Sequence, residues 1–498
     1  MTSTRSPERL RCPSSVPPHR WQTLLVAASV FLVLGATMPA VAQVTGRSVL
    51  ESLEFEPLDF QQPVVEERNV LGVDVLLLED DALPLVTLHA YFRGGYARFP
   101  RSSYAAATGL PALLRYGGTV DRTPQEVDER IAHLALQTSF GTGGGSITSS
   151  MNTLTEHLVV ATELWGDMLV APGFDEGEVE AWRARQVESV RRRADDPGRL
   201  AVAEMNRLLY GDHPVGWEMT TDDLQPARVT PGSFRRVHRG IVCRENLVLG
   251  FTGDVDWARA KPLAESLVGR IPACGEELAE EPTPEIRRAP GVFVVEKPLE
   301  QAVVVMAHPT NVRLADDNQY FAALIGNSIL GGGGFSSRIL QRVRTDEGYA
   351  YSATSLWTTP RRHEGLIGAM TRTRPENVAP AIDVILATMR GLLDGPPRAD
   401  EVDTTVDQII NGFVFNFESA SQVVSRTMYY RAIDLPDDWL ERYWDGVQQV
   451  GPADVFSVFR DHLRPDEMTI LIVGDPERIG LEALERLGPV EMLVPGQR

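Results

Sequence analysis

Lysine is nearly missing from this 498-residue chain: only Lys261 and Lys297 occur, so almost all of the 48 Lys and Arg residues are arginine. Neither lysine follows a glycine, which excludes a phosphate-binding G-x-x-x-x-G-K loop. Excess positive charge is lacking as well. The formal net charge is −20, which argues against nucleic-acid partners, because they are recognised through basic stripes. Paired histidines are a third absence. The nine histidines stand at 19, 89, 133, 157, 213, 238, 308, 363 and 462, no two within one helical turn. Neither H-E-x-x-H nor H-x-x-E-H can therefore exist, and no helix offers two imidazoles to one zinc ion. A G-x-S-x-G nucleophile elbow is also missing, since Ser146 and Ser328 follow glycine-containing stretches without the second glycine in place.

Cysteine is scarce. Cys12 falls in the N-terminal leader, and Cys243 and Cys274 form either one disulfide or two separately buried thiols, because their spacing matches no disulfide framework. Long apolar runs are confined to that leader. Arg5, Arg9, Arg11 and Arg20 precede or flank "LLVAASVFLVLGA", a run too short to span a bilayer, and Ala40 and Ala42 supply the small residues of a cleavage site. Residues 1–42 thus read as a secretory signal peptide cut near Ala42, which directs the mature chain to the periplasm. No later segment is apolar for long enough to cross a membrane.

What is present is a duplication. "RENLVLGFTGDVDWARAKPLAESL" from Arg244 and "RPDEMTILIVGDPERIGLEALERL" from Arg464 share a short apolar strand, Gly-Asp, an acid two residues later (Asp256, Glu477) and a helix. A period this long means two homologous domains rather than a solenoid. The halves also begin alike. "VDVLLLEDDALPLVTLHAYFRGG" predicts a two-stranded hairpin broken at Asp80 to Pro84, and "GVFVVEKPLEQAVVVMAHPT" repeats strand, break and strand. Thr123 and Pro124 open "TPQEVDERIAHLALQ" as an N-cap and first-turn pair. The Pro- and Glu-rich stretch 274–291 reads as an exposed linker. The expected layout is a signal peptide (1–42), an N-terminal extension (43–68), a first domain (69–273), the linker, and a second domain (292–490). The fold class is α+β, each domain a mainly antiparallel sheet with helices packed on it.

Three further stretches complete a recognisable order. "TGLPALLRYGGT" and "LVAPGFDEGEVEAWRARQVESVRRRADDP" lie in the first half, and "NSILGGGGFSSRILQRVRTDEGYAYS" lies in the second. From about Val70 to Asp475 this order resembles the insulinase-like, or pitrilysin-type, peptidases of family M16. In catalytic members the helix between the first Gly-Leu and the Gly-Thr carries H-x-x-E-H, whose histidines bind zinc and whose glutamate activates water. Here the corresponding stretch, Gly109 to Thr119, is shorter and has no histidine or carboxylate. Arg115 and Tyr116 are no substitutes, since a guanidinium donates hydrogen bonds but does not coordinate. Glu188 falls where the third zinc ligand would be and reads as a solvent-facing helical glutamate. The resemblance therefore implies no metal and no catalytic residue on this chain.

By the same resemblance, Arg344 and Tyr351 are similar to the pair that the family's C-terminal half presents to substrate. Arginine can hold a peptide carbonyl and a phenol can donate to a developing oxyanion. Gly331, Gly332, Gly333 and Gly334 then read as backbone passing close to an extended peptide or a partner's cleft rim. The alternative is a plain helix C-cap and turn, with Arg344 paired to Asp346 or Glu347. The implied function is a non-catalytic, substrate-positioning subunit of a heteromeric periplasmic zinc peptidase. Its partner would be an H-x-x-E-H-containing M16 subunit that carries the zinc, and its substrate a peptide. The alternative function is a non-enzymatic pseudopeptidase serving as peptide-binding or assembly scaffold.

Overall fold

The computed structural model describes residues 63–275 and 279–496; the expected signal peptide and residues 43–62 of the expected extension lie outside them. The first sheet contains β1 (Glu66–Val70), β2 (Val73–Glu79), β3 (Leu85–Arg93), β4 (Gln137–Thr142), β5 (Ser146–Leu154) and β6 (Leu247–Gly253), ordered β1-β2-β6-β3-β5-β4. The second contains β7 (Gly291–Glu296), β8 (Ala302–Thr310), β9 (Ala350–Trp357), β10 (Gly365–Thr373), β11 (Thr469–Gly474) and β12 (Val490–Leu493), ordered β12-β7-β11-β8-β10-β9. Five strands correspond one to one: β2-β6-β3-β5-β4 matches β7-β11-β8-β10-β9. In both sets the first pair is parallel and the other three are antiparallel. Only the outer edge differs, β1 running antiparallel to β2 and β12 parallel to β7. The α+β class and the mainly antiparallel sheets are as expected.

The two hairpins are not. β2 and β3 do not pair with each other, because β6 lies between them, and β11 likewise separates β7 from β8. A hairpin and a split pair share the same pattern of apolar run, break and apolar run. The five residues from Asp80 to Pro84 can cross the roughly 10 Å that one intervening strand occupies. The strands that insert are deeply buried, every residue of β11 and six of seven in β6.

Both faces of each sheet are covered, and this explains those continuous apolar runs. Leu88, Ala90 and Phe92 of β3 face the first main core with Leu110, Trp165, Phe234 and Val268 from helices Tyr104–Tyr116, Leu158–Val170, Pro231–Ile241 and Trp257–Arg270. Val304 and Met306 of β8 face the second with Phe321, Ile385, Trp439 and Phe459 from helices Asn318–Asn327, Val378–Gly391, Trp439–Gln448 and Pro452–His462. The opposite faces are closed by exchange. Leu200, Met205 and Leu209 of helix Pro197–Tyr210 in the first half pack on Val303, Val305, Leu471 and Val473 of the second sheet. Val424, Met428 and Ala432 of helix Ala420–Ala432 in the second half pack on Leu76, Tyr91 and Val248 of the first. Gly250 of β6 permits that approach, since a Cβ there would stand 2.6 Å from Val424 Cγ1 and 2.8 Å from Met428 Sδ.

Local signals hold where they are chemical. Thr123 and Glu126 form a capping box at the start of helix Pro124–His133. The two Gly-Asp turns end β6 and β11 but are not identical. After Gly253, whose φ of +103° is left-handed, Asp256 caps the fourteen-residue helix Trp257–Arg270. After Gly474 the cap is Asp475, and Glu477 lies in the first turn of a helix of only four residues, Pro476–Ile479. Pro476 causes the shift, since its fixed φ suits the first helical position, and left-handed Gly480 (φ +73°) stops the helix.

Cys243 and Cys274 are joined as a disulfide. It pins the start of the linker, and the Glu245 carboxylate accepts from the Cys274 N–H (2.6 Å). Further along, the His213 ring meets the Pro282 carbonyl (2.8 Å) and the Arg287 N–H donates to Leu209 (2.8 Å). Most of the described linker residues are exposed, yet Cys274, Pro282 and Arg287 are each held to the first half.

Candidate functional site

Helix Asn318–Asn327 runs on into a wider turn, Ser328–Gly332, closed when the Gly333 N–H donates to the Ser328 carbonyl five residues back (2.8 Å). Such i to i+5 turns concentrate at functional sites. Gly331 is buried against the chain's own edge strand: a Cβ there would lie 2.3 Å from the Ser355 nitrogen of β9, and Thr354 Oγ1 donates to the Gly331 carbonyl (3.1 Å). Gly332 and Gly333 are equally tight, a Cβ meeting Asn327 Nδ2 at 2.9 Å and the Ser328 carbonyl oxygen at 2.7 Å. Gly334 differs, having φ +72° and open space around it. The backbone that the first three glycines approach is their own, and the fourth turns the chain outward.

After that turn the Ser337 N–H (3.1 Å) and hydroxyl (2.6 Å) donate to the Gly334 carbonyl, and residues 338–346 form one helical stretch that ends in a second i to i+5 turn, with the Glu347 N–H on the Arg342 carbonyl (3.1 Å). Ile339 and Val343, four apart, are fully buried and fix this stretch on the second core. Arg338 anchors it sideways through two hydrogen bonds to Glu401 (2.8 and 2.6 Å). Arg344 therefore emerges beside a buried residue on a segment held at several points. Gly348 (φ +68°) then turns the chain into β9, whose second residue is Tyr351.

Arg344 and Tyr351 come together. The guanidinium carbon lies 4.4 Å from the Tyr351 ring centroid and 4.9 Å from that of Phe335. Tyr351 is 79% exposed and Phe335 74%. The ion pair of Arg344 with Asp346 or Glu347 does not form among the described residues, where Asp346 pairs with Arg342 (3.7 Å). Phe335 escaped the sequence reading. Its only signal is its place directly after the fourth glycine, and spacing alone does not say that a loop residue folds back over a side chain nine positions on.

The first half holds no counterpart. Helix Tyr104–Tyr116 buries Ala105, Ala106, Ala107, Leu110 and Leu114, and Gly109 lets it touch Trp182, whose ring a Cβ would meet at 2.4 Å. Its Arg115 donates to Asp128 (2.6 Å) and stacks on Tyr116. Glu188 sits on helix Glu176–Arg192, half exposed and paired with Arg192 (2.5 Å). The donor set does not fit zinc: where catalytic members carry their ligands, this chain has apolar and cationic side chains. Among the described residues one group of three potential ligands converges, Cys243, Glu245 and Cys274, and the disulfide engages both of its sulfurs.

At the seam where helix Ala420–Ala432 covers the first sheet, His89 of β3 is buried. It meets Ser421 of the exchanged helix (Nε2 to Oγ 3.0 Å), and burial holds its pKa down at about 4.

Residues 228–409 match the family described as the peptidase M16 inactive domain, a stretch that contains the glycines, Arg344 and Tyr351. An uncharacterized zinc protease of Streptomyces coelicolor is 24% identical over 368 residues, covering 72% of this chain and 78% of that protein. The non-peptidase homolog YmxG of Helicobacter pylori is 19% identical over 416 residues, covering 83% of this chain and 94% of that protein. In fold the chain is similar to the crystal structure of a peptidase M16 inactive domain from Pseudomonas fluorescens, with a TM-score of 0.74 at 22% identity, covering 82% of this chain and 98% of the other. With the duplicated sheets and a first helix that lacks the H-x-x-E-H motif, the chain is similar in fold to the M16 inactive-domain structure, and residues 228–409 match that family's model.

Proposed function

We propose that this chain is the non-catalytic, substrate-positioning subunit of a heteromeric M16-type zinc peptidase, supplying Arg344 and Tyr351 to peptide bound at a partner subunit's zinc site. The observation that carries the reading is an asymmetry. The first half offers no metal ligands, whereas the second holds an arginine against an exposed tyrosine at 4.4 Å on a firmly anchored segment. In this role the guanidinium N–H groups hold a main-chain carbonyl of the peptide, and the phenol donates to the oxygen that gains charge as that peptide is cleaved. Contacts of this kind raise the rate to the extent that they tighten in the transition state. The secretory leader pattern and the Cys243–Cys274 disulfide support a periplasmic site of action.

Hydrolysis of an unstructured peptide tests the proposal, measured with the chain alone, with an H-x-x-E-H M16 partner alone, and with the two mixed. Activity is expected only in the mixture, and Arg344→Ala lowers it roughly a hundredfold, the scale for loss of one oxyanion donor. A partner that is equally active alone overturns the proposal. That result would favour the second reading, a scaffold or peptide-binding pseudopeptidase, to which the description of the Helicobacter pylori relative as a non-peptidase homolog lends support.

A further inference from the structure

Phe335 is unexplained by either the Arg344–Tyr351 spacing or the packing of the second core. It follows the one glycine of the four that is left-handed and unconfined, and it leaves a large apolar side chain 74% exposed. That side chain nevertheless has a partner, since the Arg344 guanidinium carbon lies 4.9 Å from its ring centroid. Arginine carries several rotatable bonds, and an arginine free in solvent loses much rotamer freedom when it grips a ligand. Aromatic rings engage a guanidinium through its flat face, whereas its N–H donors radiate in the plane of the group. Rings beside the arginine therefore restrict it without occupying its donors.

We infer that Phe335 is a positioning residue: with Tyr351 it holds Arg344 in one orientation, so that the guanidinium meets a main-chain carbonyl of an extended peptide with its ordering cost already met. The inference rests on the proposed substrate role of Arg344 and adds to it a third side chain, delivered by the glycine turn. Gly334 thereby gains a purpose that close packing does not give it, because its left-handed φ of +72° is what directs the following residue back over the arginine.

The test uses the full chain mixed with an H-x-x-E-H M16 partner, comparing Phe335→Leu, Phe335→Tyr and Arg344→Ala. Steady-state hydrolysis of a peptide is measured together with the arginine Nε–Hε resonance of Arg344, which neighbouring rings displace. Phe335→Leu keeps the bulk but removes the ring. It is expected to raise KM roughly threefold, the range for one exposed cation–π contact, with little change in kcat, and to shift the Arg344 resonance. Phe335→Tyr restores both. If Arg344→Ala abolishes hydrolysis while Phe335→Leu changes neither KM nor the resonance, the role of Phe335 is overturned and that of Arg344 stands. A Phe335→Tyr variant that behaves like Phe335→Leu also overturns it. Should Arg344→Ala leave hydrolysis untouched, the substrate role of Arg344 fails and takes this inference with it.

Discussion

The two halves share five strands in the same order and the same directions, yet they differ in what stands at the ends of their helices. In the first, the helix at the position of the zinc motif is filled with alanine, leucine and a glycine that admits Trp182. In the second, a glycine-rich turn sets Phe335, Arg344 and Tyr351 against one another on the surface. The difference shows which parts of a duplicated fold can diverge. Strand order is fixed by two buried faces and an exchanged helix, so changes there cost core energy. The ends of helices and edge strands border open space, and there the two halves differ while their sheets agree.

The seams sharpen the comparison. Counted from the Gly-Asp turns, Gly250 of β6 corresponds to Leu471 of β11, and their strand partners are His89 and Val305 respectively. The second seam is thus aliphatic where the first carries an imidazole on Ser421. Only the first half, in turn, is closed by a disulfide at its end.

The largest expected effect tests that closure. Replacing both Cys243 and Cys274 by serine removes a cross-link across 31 residues, and chain entropy sets the loss near 3 to 4 kcal/mol. Denaturant unfolding followed separately by probes in each half should show the first half melting earlier; coincident transitions would mean that the exchanged helices bind the halves into one cooperative unit. Leu209→Ala, in the helix seated on the second sheet, follows at about 3 kcal/mol, the scale for a fully buried leucine. If it destabilises the first half as much as the second, the exchange couples them.

Acid provides a comparable test of the first seam. Unfolded histidine titrates near 6.5, whereas buried His89 titrates at about 4. Between those values the unfolded chain binds the extra proton. Stability from keeping His89 neutral is therefore complete above pH 6.5 and lost as pH falls through 4, amounting to at most about 3 kcal/mol. His89→Val, which installs the residue found in the second seam, should flatten the stability profile over that window. An unchanged profile would assign the acid sensitivity to other buried histidines such as His308, which burial also lowers.

Smaller still, Gly331→Ala should cost about 1 to 3 kcal/mol, because its methyl meets β9 backbone at 2.3 Å, whereas Gly334→Ala costs about 1 kcal/mol, through its left-handed φ. Glu188→Ala should change stability by less than about 0.5 kcal/mol and leave hydrolysis by the mixed subunits unaffected, as suits an exposed helical ion pair. A loss of activity there would return a functional role to the first half.

Composition and spacing alone determined the duplication, the α+β class, the lack of any histidine pair within one helical turn, and the Thr123 cap. These follow from local chemistry: a cap, a glycine turn or a histidine pair is written in neighbouring residues. The same patterns did not reveal that β6 parts β2 from β3, because a split pair and a hairpin have identical alternation. They were also silent on the helices Pro197–Tyr210 and Ala420–Ala432 each crossing to the other half's sheet, since an apolar helix face does not name the surface it will cover. Cys243 and Cys274 were left open between a disulfide and two thiols because sequence distance says nothing of a Cα separation, here 4.9 Å. Phe335 over Arg344 belongs to the same class. Contacts between residues far along the chain, or brought together by one left-handed glycine, exist only once the tertiary fold has closed the distance.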